Sequence, residues 1–305
     1  MNLLMALNSN YFFPSLVTIY SLMKHNPVPV TVYVLYSALT EEEKAELNRV
    51  VTRNGQGTLV LLPVDEHAFE GLKLLPWITK ETYYRLLAQK LLPETVERFL
   101  WLDSDVLVLQ NLQKFYDQDM EGKLLVATTM VEEGSIHPHF LQQTLPADTR
   151  YFNAGVLLHD LKAQREQLEA DVYEQYLRVF SKQLKLADQD VLNAVFYRLV
   201  KYVDQIRYNG YVRHLNGMTA HERRERLSQT AILHYNGNSK PWEETYSQLC
   251  ADLFWQYAQE VTDCGGRYEA MKASQRNARR RYLRAQKKKK EKEKAEKAGN
   301  NSGTV

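Results

Sequence analysis

The chain has 305 residues, 44% hydrophobic and 25% charged, with 13 Gly, 9 Pro and 2 Cys, proportions that exclude a collagen, a disulfide scaffold and a wholly disordered polypeptide. This length buries enough apolar surface for one large domain or two small ones without metal or disulfide staples. The formal charge of +2 hides a division: residues 267–297 hold 14 Lys+Arg against 4 Glu, a +10 segment, and the remaining chain carries −8.

Cys250 and Cys264 fall in no CxxC pattern, so both are expected to be reduced, structural thiols. The opening MNLLMALNSNYFFP has a short apolar run with no basic segment before it, unlike a secretory signal. No window approaches the ~18 uninterrupted apolar residues of a membrane span. The expected compartment is the cytoplasm.

In chain order, Leu3–Leu7 reads as a strand and Tyr11–Lys24 as a helix with Leu16, Ile19, Tyr20 and Met23 on one face. Val30–Tyr36 is a second strand. Thr40 with Glu43 three residues later forms a capping box for a helix through Val51, and Thr58–Pro63 is a third strand. Alternation of this kind points to βα units and a largely parallel sheet. Thr82–Leu91 has helical spacing. Arg98–Leu102 is an apolar strand running straight into Asp103-Ser104-Asp105, followed by the apolar run Val106–Leu109. Residues 124–129 form another strand, 131–150 a polar loop or lid, and Tyr151–Leu158 a strand around Asn153-Ala154-Gly155. Leu161–Gln183 and Asp188–Leu199 are expected helices, and Ala231–His234 a strand leading to HYNGNSKPW.

Asp103 and Asp105 carry the strongest chemical signal. On an extended chain residues i and i+2 face one side, so both carboxylates converge on one hard cation that completes its shell with substrate phosphates. Burying the pair between FLWL and VLVL without a cation or donors is costly. The run His234-x-x-Gly237-x-x-Lys240-Pro-Trp adds an imidazole as a third ligand, a glycine that lets backbone approach a phosphate, and an ammonium suited to a diphosphate. Asp188-Gln189-Asp190 at a helix start reads first as a cap and dipole partner, with a ligand contact as the alternative. Arg85 suits an anionic or polyhydroxylated ligand or a surface ion pair.

In combination, ALNSNY, TYYRLL, FLWLDSDVLV, YFNAGVLL, ADQDVLN and HYNGNSKPW resemble glycosyltransferase family 8, the retaining nucleotide-sugar-dependent enzymes, over roughly residues 1–245. The resemblance implies an α/β GT-A fold: a Rossmann-like mixed, mainly parallel sheet flanked by helices, as a catalytic domain over 1–264 with a basic extension over 265–305. It implies that Ala6, Asn8, Asn10 and Tyr11 hold the nucleotide, with Tyr11 stacked on uracil, and that Ser104, Gly237 and Lys240 contact it further along. Asp103, Asp105 and His234 then bind manganese, with magnesium as the alternative, Asp103 also reaching the nucleotide. Arg85, Asn153, Asp188 and Gln189 surround the transferred sugar, the last two being the catalytic candidates. The family often has an acidic residue where this chain has Asn8, whose amide oxygen is expected to accept the uracil N3–H.

The implied activity is metal-dependent transfer of glucose or galactose from a UDP-sugar to a cell-surface or lipid-linked glycan. Same-face attack is favoured, because the Gln189 amide is a poor nucleophile. The alternatives are a non-catalytic nucleotide-sugar scaffold, which has no need of a complete metal site, and a nucleotidyltransferase, which needs a Gly-rich loop where this chain has Asn8-Ser9-Asn10-Tyr11. The 19 tyrosines also admit self-glycosylation, although most sit in apolar patterns. The tail, hinged at Cys264-Gly265-Gly266, is expected to be a solvated extension or a peripheral contact with the anionic inner face of a membrane. No nucleic acid is expected.

Overall fold

The computed structural model describes residues 1–65, 67–70, 79–130, 141, 145–146, 148–246 and 249–263, with the isolated positions 280, 284, 287 and 291. Most of the expected 131–150 lid, Cys264, the hinge, nearly all of the basic tail and the 264/265 boundary lie outside the described residues.

Among the described residues, ten strands form two sheets. In the larger, the order is β3 (Gly57–Pro63), β2 (Val30–Tyr36), β1 (Asn2–Leu7), β4 (Arg98–Leu102), β7 (Phe152–Asp160), β6 (Leu125–Thr129) and β8 (Val200–Val203). Pairing is parallel except where β7 meets β4 and β6, so one antiparallel strand is set into an otherwise parallel sheet. Both faces are covered, and successive residues divide between two apolar layers. In β1, Leu3, Met5 and Leu7 face one layer and Leu4 the other; in β4, Leu100 and Leu102 oppose Phe99 and Trp101. The first layer is closed by α1 (Phe12–His25), α2 (Glu41–Thr52) and the helix Ala251–Asp263. The smaller sheet, β5 (Val106–Val108), β10 (Ile232–His234) and β9 (Gly210–Tyr211), continues from the end of β4.

The capping box at Thr40 and Glu43 forms as its spacing demands, the hydroxyl accepting Glu43 N–H and the carboxylate accepting Thr40 N–H. Three expectations change. Leu161–Gln183 divides into helices Leu161–Gln167 and Val172–Phe180, because Leu168 is extended and Asp171 starts a separate helix that buries Tyr173 and Leu177. Lys80–Leu87 winds as a 3₁₀ helix before a single α turn at Ala88–Leu91, and the tighter winding aligns residues three apart. The helix from Asp188 ends at Phe196, leaving Val200–Val203 to add the edge strand β8. Cys250 is a half-buried free thiol.

Thr40→Ala removes the acceptor for the first turn of α2 and should cost about 1 kcal/mol of stability, measured by urea denaturation.

Candidate active site

The chain leaves β1 toward β2 and β3 on one side, then crosses back to lay β4 on the other, so a crevice opens between the carboxyl ends of β1 and β4. Such a reversal is where open α/β sheets bind ligands. A cavity of about 230 Å³ lies there, lined by Ala6, Asn8 and Tyr11 after β1, Glu81, Thr82 and Arg85 from the 3₁₀ helix, Asp103, Ser104 and Asp105 after β4, and Lys240. Its position follows from topology, and its polarity from the loops that end the strands.

Asp103-Ser104-Asp105 is a turn between the two sheets, not the extended chain its spacing suggests. Buried Ser15 and Thr18 of α1 hold it, through a 2.7 Å contact between the Ser15 and Ser104 hydroxyls and a 3.2 Å bond from the Thr18 hydroxyl to Ser104 O. The carboxylates converge nonetheless. β5 pairs with β10 in a register that sets His234 opposite Val106, and the ligand atoms of Asp103, Asp105 and His234 all lie within 4.8 Å of one another. His234 Nε2 is 3.2 Å from Asp105 Oδ1, and Lys240 Nζ donates to Asp105 Oδ2 and, at 3.1 Å, to Tyr235 O. Burial alone would raise the Asp105 carboxyl, but Lys240 and His234 hold it well below the usual carboxylate range. Asp105 in turn holds the Lys240 ammonium above its ordinary value against the burial that lowers it.

Arg85 joins the carboxylates at the other side. Its guanidinium lies 4.1 Å over the Trp101 ring, donates from Nη2 to Asp103 Oδ1 at 2.9 Å and from Nη1 to Ala154 O, and places Nε 2.7 Å from Asp188 Oδ2. One buried cation thus bridges Asp103 and Asp188. Asp188 and Gln189 open a helix after Ala187, whose φ of +54° is a strained conformation for a residue with a side chain. Asp190 Oδ2 holds that turn by accepting the N–H groups of Lys185 and Leu186.

Behind these groups runs a row of buried amides. His234 Nδ1 lies 2.7 Å from Asn209 Oδ1; Asn209 Nδ2 reaches Thr128 Oγ1 and Asn153 Oδ1; Asn153 Nδ2 reaches Gln189 Oε1, which also accepts Ala154 N–H. Gly155 leaves room for the imidazole: a Cβ there would stand 2.4 Å from His234 Cε1. At the far end of the cavity, Asn8 Oδ1 accepts its own loop's N–H groups from Asn10 and Tyr11, and Nδ2 donates at 3.0 Å to Glu81 Oε2. The half-exposed Tyr11 ring meets Trp242 edge-on.

The structure therefore gathers Ala6, Asn8, Tyr11, Arg85, Asp103, Ser104, Asp105 and Lys240 around one cavity, joins His234 and Asp188 to it through direct polar contacts, and places Asn153 and Gln189 behind them, linked to His234 through Asn209. Asn10 and Gly237 sit in adjoining loops outside the cavity lining, Gly237 with a φ of +138° that a side chain rarely adopts. A profile described as glycosyl transferase family 8 matches residues 2–246. The chain belongs to this family.

The chain is 27% identical over 241 residues to general stress protein A of Bacillus subtilis, covering 75% of this chain and 82% of that protein. It is 24% identical over 279 residues to a lipopolysaccharide 1,2-glucosyltransferase of Escherichia coli, covering 83% and 76% respectively. Its fold matches the crystal structure of the galactosyltransferase LgtC in complex with donor and acceptor sugar analogs, with a TM-score of 0.72 and 26% identity over 86% of this chain and 96% of that one. This glycosyltransferase is thus related to a lipopolysaccharide glucosyltransferase and to a galactosyltransferase, and has the mixed, mainly parallel α/β fold expected of it. Among the described residues, no helix is long and apolar enough to cross a membrane.

Sequence reading missed Glu81, Trp101 and Asn209. Glu81 merely precedes TYYRLL and Trp101 reads as strand core; Asn209 precedes a two-residue strand with no periodic signal at all.

The Asp188 carboxyl is buried, and burial pushes it up to about 7, with Arg85 lowering it and Asp103 raising it further. An unfolded aspartate titrates near ~4. Between those values the folded chain keeps a proton that the unfolded chain has released, so stability declines as pH rises from about 4 to 7 and levels off above. Thermal midpoints across this range should fall less steeply for Asp188→Asn than for the unsubstituted protein; equal slopes would contradict the assignment.

Proposed function

We propose that this glycosyltransferase moves a hexose, glucose or galactose, from a UDP-sugar to a cell-surface or lipid-linked glycan with retention of configuration. The observation that carries the reading is the convergence of Asp103, Asp105 and His234 at the crevice between β1 and β4. Two hard carboxylates and an imidazole suit a divalent cation, manganese in preference to magnesium. Their fit is supported by the engagement of His234 Nδ1 with Asn209, which leaves Nε2 as the ring nitrogen facing Asp105. Such an ion supplies Lewis-acid neutralisation of charge on a departing diphosphate.

The remaining roles belong to the chain. Lys240 swings from Asp105 to the diphosphate and stabilises the leaving group as a point charge. Gly237, free of a side chain, brings loop backbone close to the phosphates, while Ala6 and Asn10 complete the nucleoside side and Ser104 the phosphate side. Arg85 and Asp188 orient the sugar hydroxyls, with Asn153 and Gln189 on the opposite face. The C1–O bond to UDP breaks, the acceptor oxygen bonds C1 on the same face, and the acceptor proton passes to the departing phosphate oxygen. Same-face attack is supported by the state of Gln189: its Oε1 accepts from Ala154 and Asn153 and its Nε2 donates to Tyr151 Oη, so the carboxamide is a held spacer rather than a nucleophile.

At the base end, Tyr11 stacks on uracil. The acceptor for N3–H is Glu81 in place of Asn8, because Asn8 Oδ1 already serves Asn10 and Tyr11, whereas the Glu81 carboxylate is oriented by Asn8 and Ser37 and keeps lone pairs open. Outside the catalytic body, the +10 tail suits peripheral contact with anionic headgroups on the inner face of a membrane, at about 1 kcal/mol per basic residue near the surface.

Asp105→Asn should lower manganese-dependent release of UDP from a UDP-hexose by about 100-fold or more. Undiminished release in the presence of chelator would defeat the metal reading. Calorimetric titration with UDP should show Glu81→Ala binding about tenfold more weakly, as expected for loss of a charge-assisted hydrogen bond; an unchanged Kd would return the acceptor role to Asn8.

A further inference from the structure

Asn209 is fully buried immediately before β9 and lies outside the cavity lining. The orientation of its amide is nonetheless fixed by two backbone donors. Gly155 N–H donates to Asn153 Oδ1 at 2.9 Å, so that atom is an oxygen and the Asn209 atom 3.0 Å from it is a donor, Nδ2. Asn209 therefore turns Oδ1 to His234 Nδ1, which must carry a ring proton, leaving Nε2 as the nitrogen that faces Asp105. At the other end Ala154 N–H donates to Gln189 Oε1 at 2.9 Å, so the group 3.2 Å away on Asn153 is its Nδ2. Along the row each amide oxygen accepts from the side chain before it and each amide nitrogen donates to the next, all in the same sense.

We propose that Asn209 is a positioning residue that holds His234 in the Nδ1–H tautomer with Nε2 free to ligate, and through Asn153 ties that imidazole to the Gln189 carboxamide, so that metal seating and Gln189 orientation are set by one buried hydrogen-bond row. The inference rests on the metal reading of Asp103, Asp105 and His234. Three further contacts make the row stiff. Asn209 Nδ2 is anchored on Thr128 Oγ1 at 3.1 Å, the β9–β10 pairing sets His234 beside Tyr211, and a Cβ at Gly155 would collide with the ring. Partners of a ligating histidine fix its tautomer and ring plane, and their loss typically costs about 10–100-fold in metal affinity.

The test uses the full chain. Nitrogen-15 spectra of the metal-free protein report the His234 tautomer and the Gln189 side-chain amide, and paramagnetic resonance of free Mn²⁺ during titration with UDP present reports metal affinity. The unsubstituted protein should carry a proton on His234 Nδ1. Asn209→Leu should admit the Nε2–H form, weaken Mn²⁺ binding about tenfold or more, and shift the Gln189 amide resonances while the thermal transition stays cooperative. Asn209→Asp retains an acceptor for His234 but no donor toward Asn153; it should keep the tautomer and shift Gln189. A His234 Nδ1 without a proton in the unsubstituted protein, or a folded Asn209→Leu with unchanged Mn²⁺ affinity, overturns the inference alone. Failure of the unsubstituted protein to take up Mn²⁺ with UDP overturns it together with the metal reading. If the leucine variant does not fold, the unsubstituted tautomer and the aspartate variant decide.

Discussion

The site depends on one strand running the wrong way. β7 is antiparallel to its neighbours, so its first residues, Asn153–Gly155, lie at the edge where the parallel strands end. Their backbone groups do the positioning: Gly155 O accepts Asp103 N–H, Ala154 O accepts Arg85, Ala154 N–H fixes Gln189, and Gly155 N–H fixes Asn153. A parallel strand in that slot would present its carboxyl end there, and these groups would face other partners. Backbone hydrogen bonds tolerate side-chain change, so the frame survives substitutions that alter what is mounted on it.

Charge is then partitioned over two cations, the buried Arg85 and the half-buried Lys240. Arg85 serves Asp103 and Asp188, and Lys240 with His234 serves Asp105. The consequences run in opposite directions: burial dominates at Asp188 and pushes its carboxyl up, whereas the paired donors dominate at Asp105 and push it down. Carboxylates a few residues or one helix apart are thereby given different protonation behaviour, the separation by which one site supports several roles.

The outline of the fold was legible because its first hundred residues are locally consistent. β1, α1, β2, the Thr40 capping box and β4 follow from period and caps. The single long helix over Leu161–Gln183 failed because composition favours helix throughout while Leu168 is drawn out to let Val172–Phe180 bury Tyr173 and Leu177 separately. β8, only four residues long, owes its existence to pairing with β6, a tertiary fact. In the site, Asp103, Asp105, His234 and Lys240 announced themselves by residue type and spacing. Glu81 and Asn209 did not, since a surface-type glutamate and an isolated asparagine acquire meaning only from the partners that the fold supplies.

The 3₁₀ winding of Lys80–Leu87 also acts as a gauge. Glu81 and Arg85 both line the cavity, one beside Asn8 and the other between Asp103 and Asp188. Four residues at three per turn separate them by about 120° around the helix axis, whereas α winding would separate them by about 40°, a swing of roughly 80°. A switch of this one segment to α geometry would therefore withdraw one end of the cavity or the other while every side chain remained unchanged. The distance the cavity spans is written in the pitch of its wall.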